Sequence, residues 1–243
     1  MLINADARQL EWRAVLHQAN DKVGIEEIMN GVDIHAANKA EFQLPERVIA
    51  KVFLFRAIFR GSAYAYSVDP DFAPIGNQDF WQRRIDKFYN KYIGIYEYHE
   101  RLLREAKTTG QVVVAGTGRI YDFEPKLVRG ETRWPENDIV NYPVQGWSAD
   151  IMAMVRVSLR TQLNLKGLTP PKVLLSNTVH DSIVADVDND RATWYNTCRE
   201  IDNAFKSTSK NYELLFGEKL RLPMACEIHV GRNWSWMHEI KIK

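Results

Sequence analysis

Cysteine is nearly absent: Cys198 and Cys226 are the only two in 243 residues. They make no disulfide framework and no Cys/His zinc spacing, and they suit a reducing cytoplasm. A signal peptide and a long apolar run are also lacking, so no membrane role is expected. Net charge is only +1, which leaves no global basic field to mark a nucleic-acid binder. Internal repeats and low-complexity linkers are missing too. What is present is 45% apolar residues, ordinary globular material for one large domain or two small ones. Charge is gathered locally, in "QRRIDKFYNKY", "ERLLREAK" and "EIKIK".

Helical periodicities alternate with strand-like runs of antiparallel type, so an α+β fold is expected. "MLIN" reads as a strand that turns into a helix near Ala7. "LPERVIAKVFLFRAIF" reads as a helix over 45–60, started at Pro45 and ended by Gly61. Residues 62–77 read as a loop region, and 79–110 as one or two long amphipathic helices, broken or bent near Gly94. "QVVVAGTGRIYDF" signals a hairpin with Gly116 and Gly118 near its turn. A helix follows the Pro-Gly entry "YPVQGW", then a hairpin over 173–187, one helix over 190–216, and a last strand with a tail.

Two stretches carry candidate chemistry. "NTVHDSIVADV" sets His180, Asp181 and Ser182 inside a strand-forming run. A His-Asp turn is common because Asp tolerates turn geometry. The alternative is that the tip presents Asp181 to a metal ion, which requires a second carboxylate elsewhere. Asp6, where a strand gives way to a helix, is the best candidate. Separately, Arg47, Lys51, Phe55 and Phe59 follow at i, i+4 steps and share one helical stripe. Two cations suit a triphosphate and two aromatics suit a base and sugar; a helix with a basic solvent end and an aromatic core end is the simpler explanation.

In order along the chain, several stretches resemble the signatures of family A DNA polymerases, the class of bacterial DNA polymerase I. "DARQLEWR" resembles the first signature, "RVIAKVFLFRAIF" the finger helix, and "VHDS" the third signature, where His-Asp-Glu is usual. "GVDIH", "NYPVQGWSADI" and "VGRNWSWMH" resemble weaker family patterns between and after them. The resemblance covers nearly the whole chain.

It implies a polymerase palm, an antiparallel sheet with helices, plus helical fingers. Residues 1–19 and 109–243 would be palm, and 20–108 fingers. The implied reaction is attack of a primer 3′-hydroxyl on a dNTP. Asp6, Asp181 and the Ala7 carbonyl would hold two Mg²⁺ ions. His35, Arg47 and Lys51 would clamp the triphosphate, with Lys51 protonating pyrophosphate. Glu11 would exclude a ribose 2′-hydroxyl, and Phe55 and Phe59 would line the nucleotide. Asn141, Gln145, Arg119 and His180 would reach primer-template DNA.

The chain departs from the family at Ser182, where Glu is usual; at Phe59 and Arg60, where Tyr-Gly is usual; and at Asn137, where an Arg is usual. Asp6 lies five residues from the start, whereas the thumb, the first part of the palm and any exonuclease domain precede it in the family. A second polypeptide supplying the thumb and remaining palm is therefore expected. Two other readings stay open: an enzyme like the single-subunit RNA polymerases, which also carry His-Asp-Ser, and a non-catalytic nucleic-acid-binding or assembly subunit.

Overall fold

Residues Leu2–Ala7 form β1, which buries Ile3, Ala5 and Ala7 and leaves Leu2, Asn4 and Asp6 partly open. That alternation is the period of a strand with one face on a core. β1 is the middle of a five-stranded antiparallel sheet in the computed structural model, which describes residues 1–242. Its order is β6 (Val173–Val179), β7 (Ser182–Val187), β1, β8 (Cys226–Gly231), β9 (Met237–Ile240). Helix α9 (Arg191–Lys206) packs on β1 and β8 through buried Cys198, Ile201, Ala204 and Phe205. Of these, Ile201 and Phe205 each contribute about 1.5–3 kcal/mol by burial. α10 (Thr208–Phe216) follows, and its Tyr212 hydroxyl accepts the indole N–H of buried Trp147 at 3.1 Å.

These elements belong to one of two compact units, Met1–Leu10 with the residues from Trp147 onward; the other is Glu11–Gly146. The fold class is the α+β expected.

The second unit is mostly helical: α1 (Leu10–Ala19), α2 (Lys22–Met29), α3 (Ile34–Glu41), α4 (Arg47–Ala57), α5 (Ala63–Val68), α6 (Gln78–Lys91) and α7 (Ile93–Thr109). Two small hairpins follow, β2 (Gln111–Val113) with β3 (Ile120–Asp122) and β4 (Lys126–Val128) with β5 (Glu131–Arg133), then the start of α8 (Glu136–Leu165). An aromatic cluster forms the core: Phe53 lies 5.4 Å from both Phe42 and Tyr66, 6.0 Å from Trp81 and 6.5 Å from Phe88. Buried Asp21 caps two helices at once, accepting from Gly24 N at 2.8 Å and Gly94 N at 2.9 Å. Orphan amides at two helix starts satisfy one buried carboxylate. Burial pushes its pKa up, while the amides of Gly24, Gly94 and Ile95 hold it back.

Several local expectations are corrected. The strand runs through Ala7, and the helix starts only at Leu10. Helix α4 spans Arg47–Ala57, and Gly61 is not its left-handed terminator, because Arg60 takes that conformation at φ +58°. Residues 62–77 contain a helix, α5, capped by the Ser62 side chain. The long amphipathic stretch is two helices, within the one or two expected, and the break falls at Tyr92 with Gly94 in the first turn of α7. Pro143 is inside α8 rather than before it, since 30 residues of helix tolerate one missing N–H. The helix expected over 190–216 divides at Ser207, and the tail adds strand β9 to the sheet. No helix of the described residues is long and apolar enough to cross a membrane.

Candidate active site

In the first unit the sheet brings the two predicted acidic positions together. Asp6 pairs with Ser182 across β1 and β7, and the Ala7 amide donates to the Asp181 carbonyl at 2.9 Å. Asp6 and Asp181 are thus one step apart on neighbouring strands, 175 positions apart in the chain. The turn between β6 and β7 is two residues long, His180 and Asp181, because Val179 pairs directly with Ser182. His180 takes φ +52° there, a left-handed conformation that costs a non-glycine residue about 1–2 kcal/mol. Buried Ser182 uses its hydroxyl to close the hairpin, donating to the Val179 carbonyl at 3.0 Å. The side chain that departs from the family pattern is therefore a hairpin fastener.

On its other side Asp6 pairs with Glu227 of β8. Two carboxylates directly opposite one another repel. Arg8 answers that charge, with its guanidinium 3.2 Å from Glu227 and 3.6 Å from Glu239. Glu227 was missed in the sequence, since only the register of β1 on β8 puts it beside Asp6; Arg8, two residues after Asp6, was missed because its carboxylate partners lie on β8 and β9.

In the second unit α3 and α4 pack against each other and present the predicted cations. Arg47, Lys51 and Phe55 are exposed and Phe59 is half-buried, while Ala50, Phe53, Leu54 and Ala57 face the core. Arg47, Lys51 and Phe55 are thus the outward face of α4, and Phe59 stands just past its end. An aromatic core end is excluded, because Phe55 is 47% exposed and meets Phe59 edge-on at 5.2 Å. Arg47 donates from Nε and Nη2 to the two Asp33 oxygens, both at 3.1 Å. That pairing holds the Asp33 carboxyl below the usual range. Asp33 also caps α3 by accepting from His35 N and Ala36 N. It was the missed partner of the clamp, although "GVDIH" carried an N-cap signal.

His35 completes this group. Burial first, then the Arg47 and Lys51 charges, push its pKa down against the pull of Asp33. Its Nδ1 is buried and finds no hydrogen-bond partner among the described residues. Glu11 lies half-buried in the first turn of α1, where a carboxylate complements the helix dipole.

Three predicted DNA contacts gather on α8 and the β2–β3 hairpin. Asn141 and Gln145 stand one turn apart on α8, with Gln145 exposed. A Cβ at Gly146 would lie 1.7 Å from the Tyr121 hydroxyl and 2.9 Å from Arg119 Cδ. Glycine there lets the hairpin close on the helix, with Arg119 and Tyr121 against Gly146. The fourth, His180, lies at the exposed hairpin tip of the other unit.

Among the described residues no group of three or more His, Cys, Asp or Glu side chains is arranged to hold a metal. Two carboxylates on adjacent strand ends are hard oxygen donors, and they fit Mg²⁺, which takes one or two protein carboxylates and completes its shell with water and phosphate.

Residues 1–236 match the family described as DNA polymerase family A. DNA polymerase I of Pseudomonas aeruginosa is 29% identical over 98% of this chain and 25% of its own length. Thermostable DNA polymerase I of Thermus filiformis is 28% identical over 96% of this chain and 27% of its own. The chain thus spans about a quarter of the length of these curated relatives. A solved structure, the POL domain of Pol1 from M. smegmatis in complex with DNA primer-template and dNTP, shares the fold. Its TM-score is 0.73 at 18% identity, over 96% of this chain and 40% of that one. The chain belongs to DNA polymerase family A.

Proposed function

We propose that this chain is the catalytic C-terminal part of a family A DNA polymerase, extending a primer 3′-hydroxyl with dNTPs on a template. The observation that carries the reading is the adjacency of Asp6 and Asp181 at the ends of β1 and the β6–β7 turn. Residues 1–19 and 109–243 would act as palm and 20–108 as fingers, with the outward stripe of α4 facing the nucleotide. A second polypeptide would supply the thumb and the remaining palm, and the two unpaired cysteines suit a reducing cytoplasm.

Asp6 and Asp181, with the Ala7 carbonyl, would hold two Mg²⁺ ions. Bound there, these ions would lower the pKa of the attacking hydroxyl and neutralise charge on the phosphates. Arg47, Lys51 and His35 would orient the triphosphate, Arg47 exchanging Asp33 for phosphate oxygens. Lys51 would give a proton to the departing pyrophosphate. Glu11 would turn away a 2′-hydroxyl. Arg119, Asn141, Gln145 and His180 would hold the primer-template, and Phe55 and Phe59 would pack on the incoming nucleotide.

Primer extension with Mg²⁺, with and without the thumb-bearing polypeptide, tests this, with dNTPs and rNTPs in separate arms. Asp181→Ala is expected to reduce extension by roughly a thousandfold or more, because several kcal/mol of charge stabilisation leave with the metal site. Equal extension by parent and variant overturns the reading. A preference for rNTPs moves it to the RNA polymerase class.

A further inference from the structure

The corner that follows α4 is built around an unexpected residue. Gly61 N donates to the Arg56 carbonyl at 2.8 Å, and Arg60 N to the Ala57 carbonyl at 3.1 Å. This bond pair is the Schellman ending, which places one residue in the left-handed region and usually takes glycine there. Here that residue is Arg60, at φ +58°, although a glycine stands at the next position. A side chain kept in a strained, left-handed backbone conformation invites the question of what it holds.

The Arg60 guanidinium joins two other helices of the same unit. Nη1 donates to Glu100 of α7 at 2.9 Å, and Nη2 to Glu136, the first residue of α8, at 3.3 Å. The second Glu136 oxygen accepts Lys107 Nζ at 2.8 Å. Asn137 then grips the corner's backbone, its Nδ2 donating to the Phe59 carbonyl at 2.8 Å and the Arg60 carbonyl at 3.3 Å. A forked guanidinium shared by two half-exposed carboxylates is a network, worth more than a lone surface pair. Arg60 and Asn137, two of the positions that depart from the family pattern, thus act on one another's neighbourhood.

We infer that Arg60, with Asn137, is a positioning residue for nucleotide selection: it latches the aromatic end of α4 to α7 and α8. The inference rests on the reading proposed above, in which the stripe of α4 faces the nucleotide. Asn137 holds the carbonyl of Phe59 itself, and the Phe59 ring meets Phe55. Arg47 stands at the opposite end of α4, about 15 Å along the helix axis from Ala57 at about 1.5 Å per residue. Loosening the corner therefore moves the aromatic end more than the basic end. Discrimination between matched and mismatched bases should suffer, while the grip on the triphosphate should not.

The test uses the full chain, with the thumb-bearing polypeptide where extension requires it, and measures insertion of matched and mismatched dNTPs. Arg60→Gly keeps the left-handed corner without strain and removes only the latch. Asn137→Ala releases the Phe59 carbonyl. Arg60→Lys offers a point charge in place of a fork and should fall between Arg60→Gly and the parent. Arg60→Gly is expected to lower discrimination by roughly ten- to a hundredfold, the scale of a misplacement near 1 Å. The KM for the matched dNTP should hold within about threefold, and Asn137→Ala should act in the same direction. Unchanged discrimination in Arg60→Gly and Asn137→Ala makes the latch purely structural and overturns the inference. An equal rise in KM for every nucleotide overturns it as well. Absence of any insertion by the parent removes the polymerase reading, and this inference with it.

Discussion

The amide of Ala7 donates to the carbonyl of Asp181 at 2.9 Å, and this one bond seats the tip of the β6–β7 hairpin against the end of β1. It brings Asp181 alongside Asp6 without any shared sequence neighbourhood.

Phe55 is exposed on α4 and lacks a hydroxyl. Phe55→Tyr is expected to raise dideoxynucleotide incorporation relative to dNTPs by roughly tenfold or more, the value of one hydrogen bond to a charged or strongly polar group. Competitive incorporation on one template measures the ratio, and an unchanged ratio refutes the placement of Phe55 beside the sugar.

Asp33 occupies Arg47 in the structure. Asparagine caps a helix as well as aspartate does, so Asp33→Asn removes charge and spares α3. The pair is exposed and worth at most about 1 kcal/mol, so the KM for dNTP should fall by about two- to fivefold at low salt. A higher KM would mean that Asp33 presents Arg47 to the phosphates instead of competing for it.

His99 is fully buried, its Nδ1 3.1 Å from the Tyr89 hydroxyl. Burial, helped by the Arg60 charge and opposed by the Ile58 carbonyl, pushes its pKa down from 6.5 to about 3. Below pH 6.5 the unfolded chain takes up a proton that the folded chain refuses. Stability from this group is therefore complete above pH 6.5 and is lost progressively between there and about pH 3. Chemical denaturation should show a loss approaching 1.4 kcal/mol per pH unit in that window. His99→Gln should flatten the slope; an identical slope assigns the acid sensitivity to other groups.

Gly94→Ala reverses the usual sign of its substitution. In an open helix the change stabilises by about 1 kcal/mol. Here the new Cβ would stand 2.8 Å from Asp21 Cα and 3.0 Å from Asp21 Oδ2. Disturbing a carboxylate that caps two helices outweighs the propensity gain, and a net loss of about 1–2 kcal/mol is expected in equilibrium unfolding. Stabilisation would show that the double cap is dispensable.

Local chemistry was legible without coordinates. The i, i+4 stripe of Arg47, Lys51, Phe55 and Phe59 follows from helix periodicity alone, and the His-Asp hairpin from strand propensity interrupted by turn formers. Which way the stripe faces was not legible, because a basic end and an aromatic end suit either solvent or core. Packing decided it, when Phe53, Leu54 and Ala57 filled the aromatic core and left Phe55 outside. Helix ends were also misread: Gly61 looks like a terminator, yet the left-handed position fell on Arg60, whose guanidinium finds partners on α7 and α8.

By itself, then, the sequence determined the longer helices and the central strands, the α+β class and which side chains can carry charge to a site, since those depend on periodicity and residue type. Tertiary structure alone decided that Asp6 meets Asp181, that Arg8 answers Glu227, and that Arg60 bridges two helices. Strand register and side-chain packing are long-range, and contacts between residues tens or hundreds of positions apart leave no trace in local spacing.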